Sequence, residues 1–167
     1  YLAMLDWSVD QKEHPVMILI PGNQVTYREA DKDFNRLNHF KVEEAGEKVA
    51  ILALGDFYQR GEQLSAKIKA ELGFTPTLIN PRFASGIDKE LLESLSERHQ
   101  MVITMEDGIL SGGFGEKIAS FYGSSDMKVK NYGLEKKFYD RYDPNELLKE
   151  VGMTPAQIIA DICNQLK

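Results

Sequence analysis

The sequence predicts an α/β fold: a three-layer, mostly parallel sheet with helices on both faces. Three observations carry this. Short apolar runs recur from Lys48 onward and end at Gly, Asn-Pro or Asp-Gly. Segments with helical apolar spacing lie between them. The strict alternation of the two calls for crossover connections, right-handed by the usual rule, and so for a sheet covered on both sides.

The elements follow in order. Leu2, Leu5 and Val9 have helical spacing, and no capping residue precedes them. VMILI, Val16 to Ile20, reads as a buried strand closed by Pro21-Gly22. Residues 23–47 are polar and aperiodic and read as a linker. KVAILAL, Lys48 to Leu54, is the first strand of the regular region, followed by a helix from about Arg60 to Leu72 whose stripe is Leu64, Ile68 and Leu72. TPTLINP, Thr75 to Pro81, is the next strand. Asp88 then caps a helix that buries Leu91, Leu92 and Leu95.

QMVITME, Gln100 to Glu106, is the third strand, followed by a helical stripe at Phe114, Ile118 and Phe121. MKVKNYG, Met127 to Gly133, has mixed polarity and suits a sheet edge. Asp143-Pro144 and Thr154-Pro155 each place a cap before a proline at the first helical position, with Glu146 and Gln157 three residues past the caps. Ile158, Ile159, Ile162, Cys163 and Leu166 form the last buried face.

Composition narrows the function classes. The 167 residues carry a formal net charge of −6, with dispersed Asp and Glu, which disfavours nucleic acid as a partner. One cysteine rules out an internal disulfide framework, and its place on an apolar stripe suits a packed thiol. No apolar run approaches membrane-spanning length and no signal-peptide succession is present, so the expectation is a cytoplasmic protein without a membrane partner.

Ligands of such sheets sit beyond the carboxyl ends of the strands. Here those ends are Gly55-Asp56-Phe57, Asn80-Pro81-Arg82-Phe83, Glu106-Asp107-Gly108 and Tyr132-Gly133-Leu134. TMEDGILSGGFGEKI invites a phosphate-loop reading but fails the motifs. Phe114 stands where the P-loop lysine belongs, and Ile118 where the dinucleotide fingerprint wants its third glycine. Gly112-Gly113 therefore reads as a tight strand-to-helix joint, with phosphate binding as the lesser alternative.

Glu106 and Asp107, adjacent in a strand, point opposite ways and do not suit a shared proton. Arg82 could hold a phosphate, or pair with Glu106 across the lip of the sheet, or form an interface or intradomain salt bridge. Asp56 could cap the following helix or face the same cleft. His14, His39 and His99 have no zinc-like spacing, and His99 is expected at a helix end, where it suits the dipole. Tyr122, Tyr132, Tyr139 and Tyr142 would suit a subunit interface. No catalytic residue, metal ligand or cofactor-binding residue is read from the residues themselves.

VAILALGDF, INPRFASGID and VITMEDGILSGGFGEKI, in that order and spacing, resemble the C-terminal domain of the 1-deoxy-D-xylulose-5-phosphate synthases of the transketolase superfamily. Asn131-Tyr132-Gly133-Leu134 and the aromatic-rich Phe138 to Lys167 fit the same pattern, and Tyr1 to Gly22 resembles the last helix and strand of the preceding pyrimidine-binding domain. The resemblance implies a division into residues 1–22, the tail of that domain; 23–47, a linker; and 48–167, a transketolase C-terminal domain.

It also implies a longer parent enzyme, a homodimer using thiamine diphosphate and Mg2+ to join pyruvate and glyceraldehyde 3-phosphate. This portion would support the dimer and be inactive alone, with no cofactor bound to it. One departure stands out. The family's Tyr-Pro-Arg-Gly, whose Arg helps hold the sugar substrate, is matched by Leu19-Ile20-Pro21-Gly22, without the Arg. Pro21 and Gly22 thus mark the expected substrate loop. The alternatives are a paralogue with altered or lost synthase activity, or a stand-alone assembly subunit.

Overall fold

The computed structural model describes residues 1–20 and 36–166. The chain divides into two compact units, Tyr1–Leu37 and Asn38–Lys167. In the first, α1 spans Leu2–Asp10 and buries none of its side chains. Val16 to Ile20 is not a strand. Met17, Leu19 and Ile20 are 86%, 81% and 63% exposed. An apolar run becomes a buried strand only when neighbours bond its N–H and C=O groups and cover its faces. No strand among the described residues does so. Pro21 and Gly22 lie outside the described residues.

The second unit holds a five-stranded sheet in the order β1-β3-β2-β4-β5, comprising β1 (Lys41–Glu44), β2 (Lys48–Ala53), β3 (Thr77–Asn80), β4 (His99–Ile109) and β5 (Lys128–Leu134). The pairs β2–β3, β2–β4 and β4–β5 are parallel, as the alternation predicts. β1 was not expected. It lies inside the stretch read as linker and pairs antiparallel with β3, Val42 opposite Ile79. Its sequence, KVEE, carries no apolar alternation, because an edge strand has little to bury and gains from charges that discourage further pairing. β5 forms the other edge, as its mixed polarity predicts.

Helices α2 (Tyr58–Leu72), α3 (Lys89–Leu95), α4 (Phe114–Tyr122), α5 (Pro144–Glu150) and α6 (Pro155–Gln165) complete the unit. Two cores follow from the alternation of β2. Val49, Ile51 and Ala53 join Met101, Ile103, Leu64, Ile68, Ile158 and Ile162 on one face. Ala50 and Leu52 join Ile79, Val102, Leu92, Phe114 and Ile118 on the other. Ile51, Leu52, Leu64 and Ile103 are fully buried, each contributing about 1.5–3 kcal/mol of transfer free energy.

The predicted caps form. Asp88 accepts from the Leu91 amide at 3.1 Å, and Asp143 from the Asn145 and Glu146 amides at 2.9 and 3.0 Å. Thr154 and Gln157 close a reciprocal capping box at the start of α6. Asp56 does not cap α2. It sits exposed in a short 3-10 turn, Gly55–Phe57, and the residue preceding α2 is Phe57, whose side chain makes no capping bond.

Candidate functional site

The carboxyl ends of β3, β4 and β5 bring Arg82, Glu106, Asp107 and the glycine joint to one lip of the sheet. β4 is buried from Met101 to Glu106 and emerges at Asp107. Strand alternation sends Glu106 inward, 5% exposed, and Asp107 outward. Desolvating a carboxylate is costly unless its oxygens are bonded. Both oxygens of Glu106 meet this condition at the start of α4, accepting from the Phe114 amide at 2.9 Å and the Gly115 amide at 2.8 Å. The partial positive charge of a helix N-terminus favours the arrangement.

The neighbouring amides are engaged as well. The Gly112 amide donates to the Glu116 carboxylate. The Gly113 amide donates to the Leu110 carbonyl at 3.1 Å. Phe114 and Gly115 are held by Glu106. Each amide from Gly112 to Gly115 thus has a partner from this chain, and the anion seated at the helix start is a side chain.

The glycines serve that close approach. A Cβ on Gly113 would lie 2.5 Å from the Ile109 carbonyl and 2.8 Å from both Glu106 oxygens. One on Gly115 would lie 2.5 Å from the Thr104 hydroxyl. Gly112 makes the turn itself, with φ of +77°. Gly112, Gly113 and Gly115 thus sit where the backbone turns or packs closely.

Arg82 and Glu106, for which a mutual pair was one of the alternatives, serve different partners. The guanidinium of Arg82 reaches the His39 carbonyl, with Nη2 at 2.8 Å and Nε at 3.2 Å. His39 Nδ1 meets Asp88 at 2.8 Å. Neither contact was foreseen, because His39 and Asp88 are far apart in sequence and share no motif.

His99 begins β4 and is buried, yet its ring does reach the end of α3. Nδ1 lies 2.9 Å from the Leu95 carbonyl. Thr77 Oγ1 accepts from the Gly46 amide at 2.8 Å and stands 2.8 Å from Nε2. The Leu95 carbonyl can only accept, so Nδ1 carries a proton, and in the neutral ring Nε2 accepts from the Thr77 hydroxyl. Burial, the largest influence, holds the imidazole below its ordinary pKa; the Leu95 bond opposes this and nearby Arg98 adds to it. His99 caps the carbonyl as a neutral donor, not as the cation that the dipole argument invokes.

The expected tyrosine interface is corrected in part. Tyr122 and Tyr132 are 4% exposed and belong to the two cores. Their hydroxyls donate to the Leu92 carbonyl at 2.6 Å and to Asp161 at 2.8 Å. Burial pushes both phenols upward, and for Tyr132 the bond to Asp161 adds to it. Apolar rings filled the core, and each hydroxyl found an internal acceptor. Tyr139 and Tyr142 remain at the surface, stacked edge to face at 6.2 Å beside the fully exposed Phe138.

Among the described residues, no group of three or more His, Cys, Asp and Glu is placed to hold a metal ion. No described helix is long and apolar enough to cross a membrane. A largely parallel sheet with helices on both faces, whose lip is closed by its own carboxylate, defines a three-layer α/β domain. The chain belongs to the transketolase C-terminal domain family: the family model described as "Transketolase, C-terminal domain" matches residues 38–158.

The 1-deoxy-D-xylulose-5-phosphate synthase of Shouchella clausii is 30% identical over 98% of this chain, and the match covers 26% of that protein. The synthase of Trichodesmium erythraeum is 33% identical over 73% of the chain, covering 19% of its own length. The chain thus spans about a quarter or less of the curated relatives it matches. A solved structure described as "Split gene transketolase, inactive beta4 tetramer" superposes with a TM-score of 0.70 at 23% identity, over 82% of this chain and 45% of that one. Transketolase from Campylobacter jejuni gives 0.51 at 19% identity, over 76% and 18%. At these identities the two structures speak for the fold.

Proposed function

We propose that this chain is the C-terminal portion of a cytoplasmic 1-deoxy-D-xylulose-5-phosphate synthase, in which it supports the homodimer and borders the active-site entrance. The observation that carries the reading is the span of the likeness. The match to a synthase runs over 98% of the chain, well beyond the domain at residues 38–158. On this reading residues 1–22 are the tail of the pyrimidine-binding domain.

The parent would be a transferase that takes pyruvate and glyceraldehyde 3-phosphate to 1-deoxy-D-xylulose 5-phosphate and CO2. Thiamine diphosphate with Mg2+ would supply the carbanion chemistry. The residues described here do not fit that cofactor. The helix-start amides that could take a diphosphate already hold Glu106 and Glu116, and no described carboxylate cluster suits the metal. The chain's own part is therefore structural. Glu106, Gly112 and Gly113 set the joint between β4 and α4, Arg82 holds the segment before β1, and Asp107 lies at the edge of the lip.

A second reading has its own observation. Pro21-Gly22 lacks the Arg that the family places in its substrate loop, which favours a paralogue with an altered acceptor or lost synthase activity. One experiment separates the readings. The full-length protein and the isolated 167-residue chain are each assayed with pyruvate, glyceraldehyde 3-phosphate, thiamine diphosphate and Mg2+. The first reading expects product from the full-length protein alone. No product from a folded full-length protein would select the second. Turnover by the isolated chain would overturn the support role.

A further inference from the structure

Residues 38–40 open the second compact unit, and all three are held by the loop that follows β3. Asn38 Oδ1 accepts from the Ser85 hydroxyl at 2.7 Å. The His39 carbonyl takes two bonds from the Arg82 guanidinium, and His39 Nδ1–H donates to Asp88 Oδ2. The Phe40 amide donates to the same Oδ2 at 2.9 Å. The ring of Phe40 is 3% exposed and packs on Phe114 at 5.8 Å.

Asp88 is thereby committed twice. One oxygen caps α3 through the Leu91 amide, and the other holds a segment 48 residues earlier in the chain. Its side chain is 5% exposed, where charge-assisted bonds are strong and an unmet donor is costly. The backbone carries a matching sign. Among the described residues, four that are not glycine have positive φ, and two of them, Asn38 at +59° and Arg82 at +61°, belong to this arrangement. Such conformations are unfavourable for side-chain-bearing residues, less so for Asn, and persist where surrounding contacts over-determine them.

We propose that Asp88 and Arg82 form a clasp that fixes where, and in which direction, the chain enters the sheet domain. The clasp is a conformational device distinct from the α4 joint. Its polar bonds lie outside the pairing of β2 with β4, so its loss is expected to be felt first in residues 38–40. The proposal stands whichever function the whole protein has.

Asp88→Asn separates the two duties of Asp88. Asparagine caps a helix as well as aspartate does, so the bond to Leu91 survives. Its amide nitrogen, however, would face two donors, the His39 ring and the Phe40 amide. Amide hydrogen exchange on the 167-residue chain reads the result. The Phe40 amide should exchange about tenfold faster or more, while the amides of α3, β2 and β4 keep their protection. Arg82→Lys, which loses the two-point hold on the His39 carbonyl, should give a smaller increase confined to the same segment. An unchanged Phe40 rate, or a rise matched by the β2 and β4 amides, would overturn the clasp. If Asp88→Asn does not fold, Arg82→Lys decides between the same outcomes.

Discussion

At the scale of single residues, His99 shows how burial reverses a charge argument. A histidine near a helix end suits the dipole as a cation, but the ring lies between Thr77 and Leu95 and is held neutral. Its folded pKa lies below the ordinary value near 6.5, chiefly through burial. The unfolded chain therefore binds more protons on this ring between the two values. The stabilising contribution is complete above about pH 6.5 and is lost as pH falls through that value toward the folded one. Denaturant titrations from about pH 8 to about pH 5 should show stability falling in the native chain and a shallower fall in His99→Gln. Parallel curves would remove His99 from the acid sensitivity. A place for His99 near a helix end was legible in the sequence, but its bond to the Leu95 carbonyl was not. The protonation state was not, because it depends on Thr77 and Gly46, which come from other elements.

At the scale of elements, the joint between β4 and α4 rests on Glu106. Glu106→Ala would leave the Phe114 and Gly115 amides buried without acceptors and remove an anion from a helix start. The expected loss is about 2–4 kcal/mol. Glu106→Gln keeps one acceptor and should cost about half as much. Melting curves measure the totals, and exchange at the first turn of α4 should rise in both variants. Stability in Glu106→Ala within about 0.5 kcal/mol of the native chain would show that the carboxylate is dispensable.

Phosphate binding there was open from the sequence, since glycines at a helix start suit either a ligand or a close packing contact. In the structure the Glu106 carboxylate is seated there. The elements themselves were largely legible, because β2, β4, α2 and α6 bury enough apolar surface to show their period. β1 was hidden, because its role is to close an edge with backbone bonds, and those leave little trace in side-chain pattern. Val16 to Ile20 failed in the opposite sense: its apolar run announces a strand, but no described neighbour pairs with it.

At the scale of the whole molecule, the proposed assembly role predicts a mass. Phe138 is fully exposed, Tyr142 is 54% exposed and Ile109 is 43% exposed, which is apolar surface of the kind that subunit contacts cover. Sedimentation of the full-length protein should give a dimer across the concentration range used for the synthase assay. A monomer throughout would remove the assembly role while leaving the fold and the clasp untouched.

The sequence by itself determined the layers, the parallel core of the sheet, the helix caps and the family. Each of these is written in local period, local capping chemistry or an ordered set of motifs. Only the tertiary structure decided which anion occupies the glycine joint, what Arg82 and His39 hold, and how the edge at β1 is closed. Those outcomes depend on groups 8 to 48 residues apart meeting at the lip of the sheet. A carboxylate does not state in sequence which amides it will find. Burial obliges it to find some, and folding settles which.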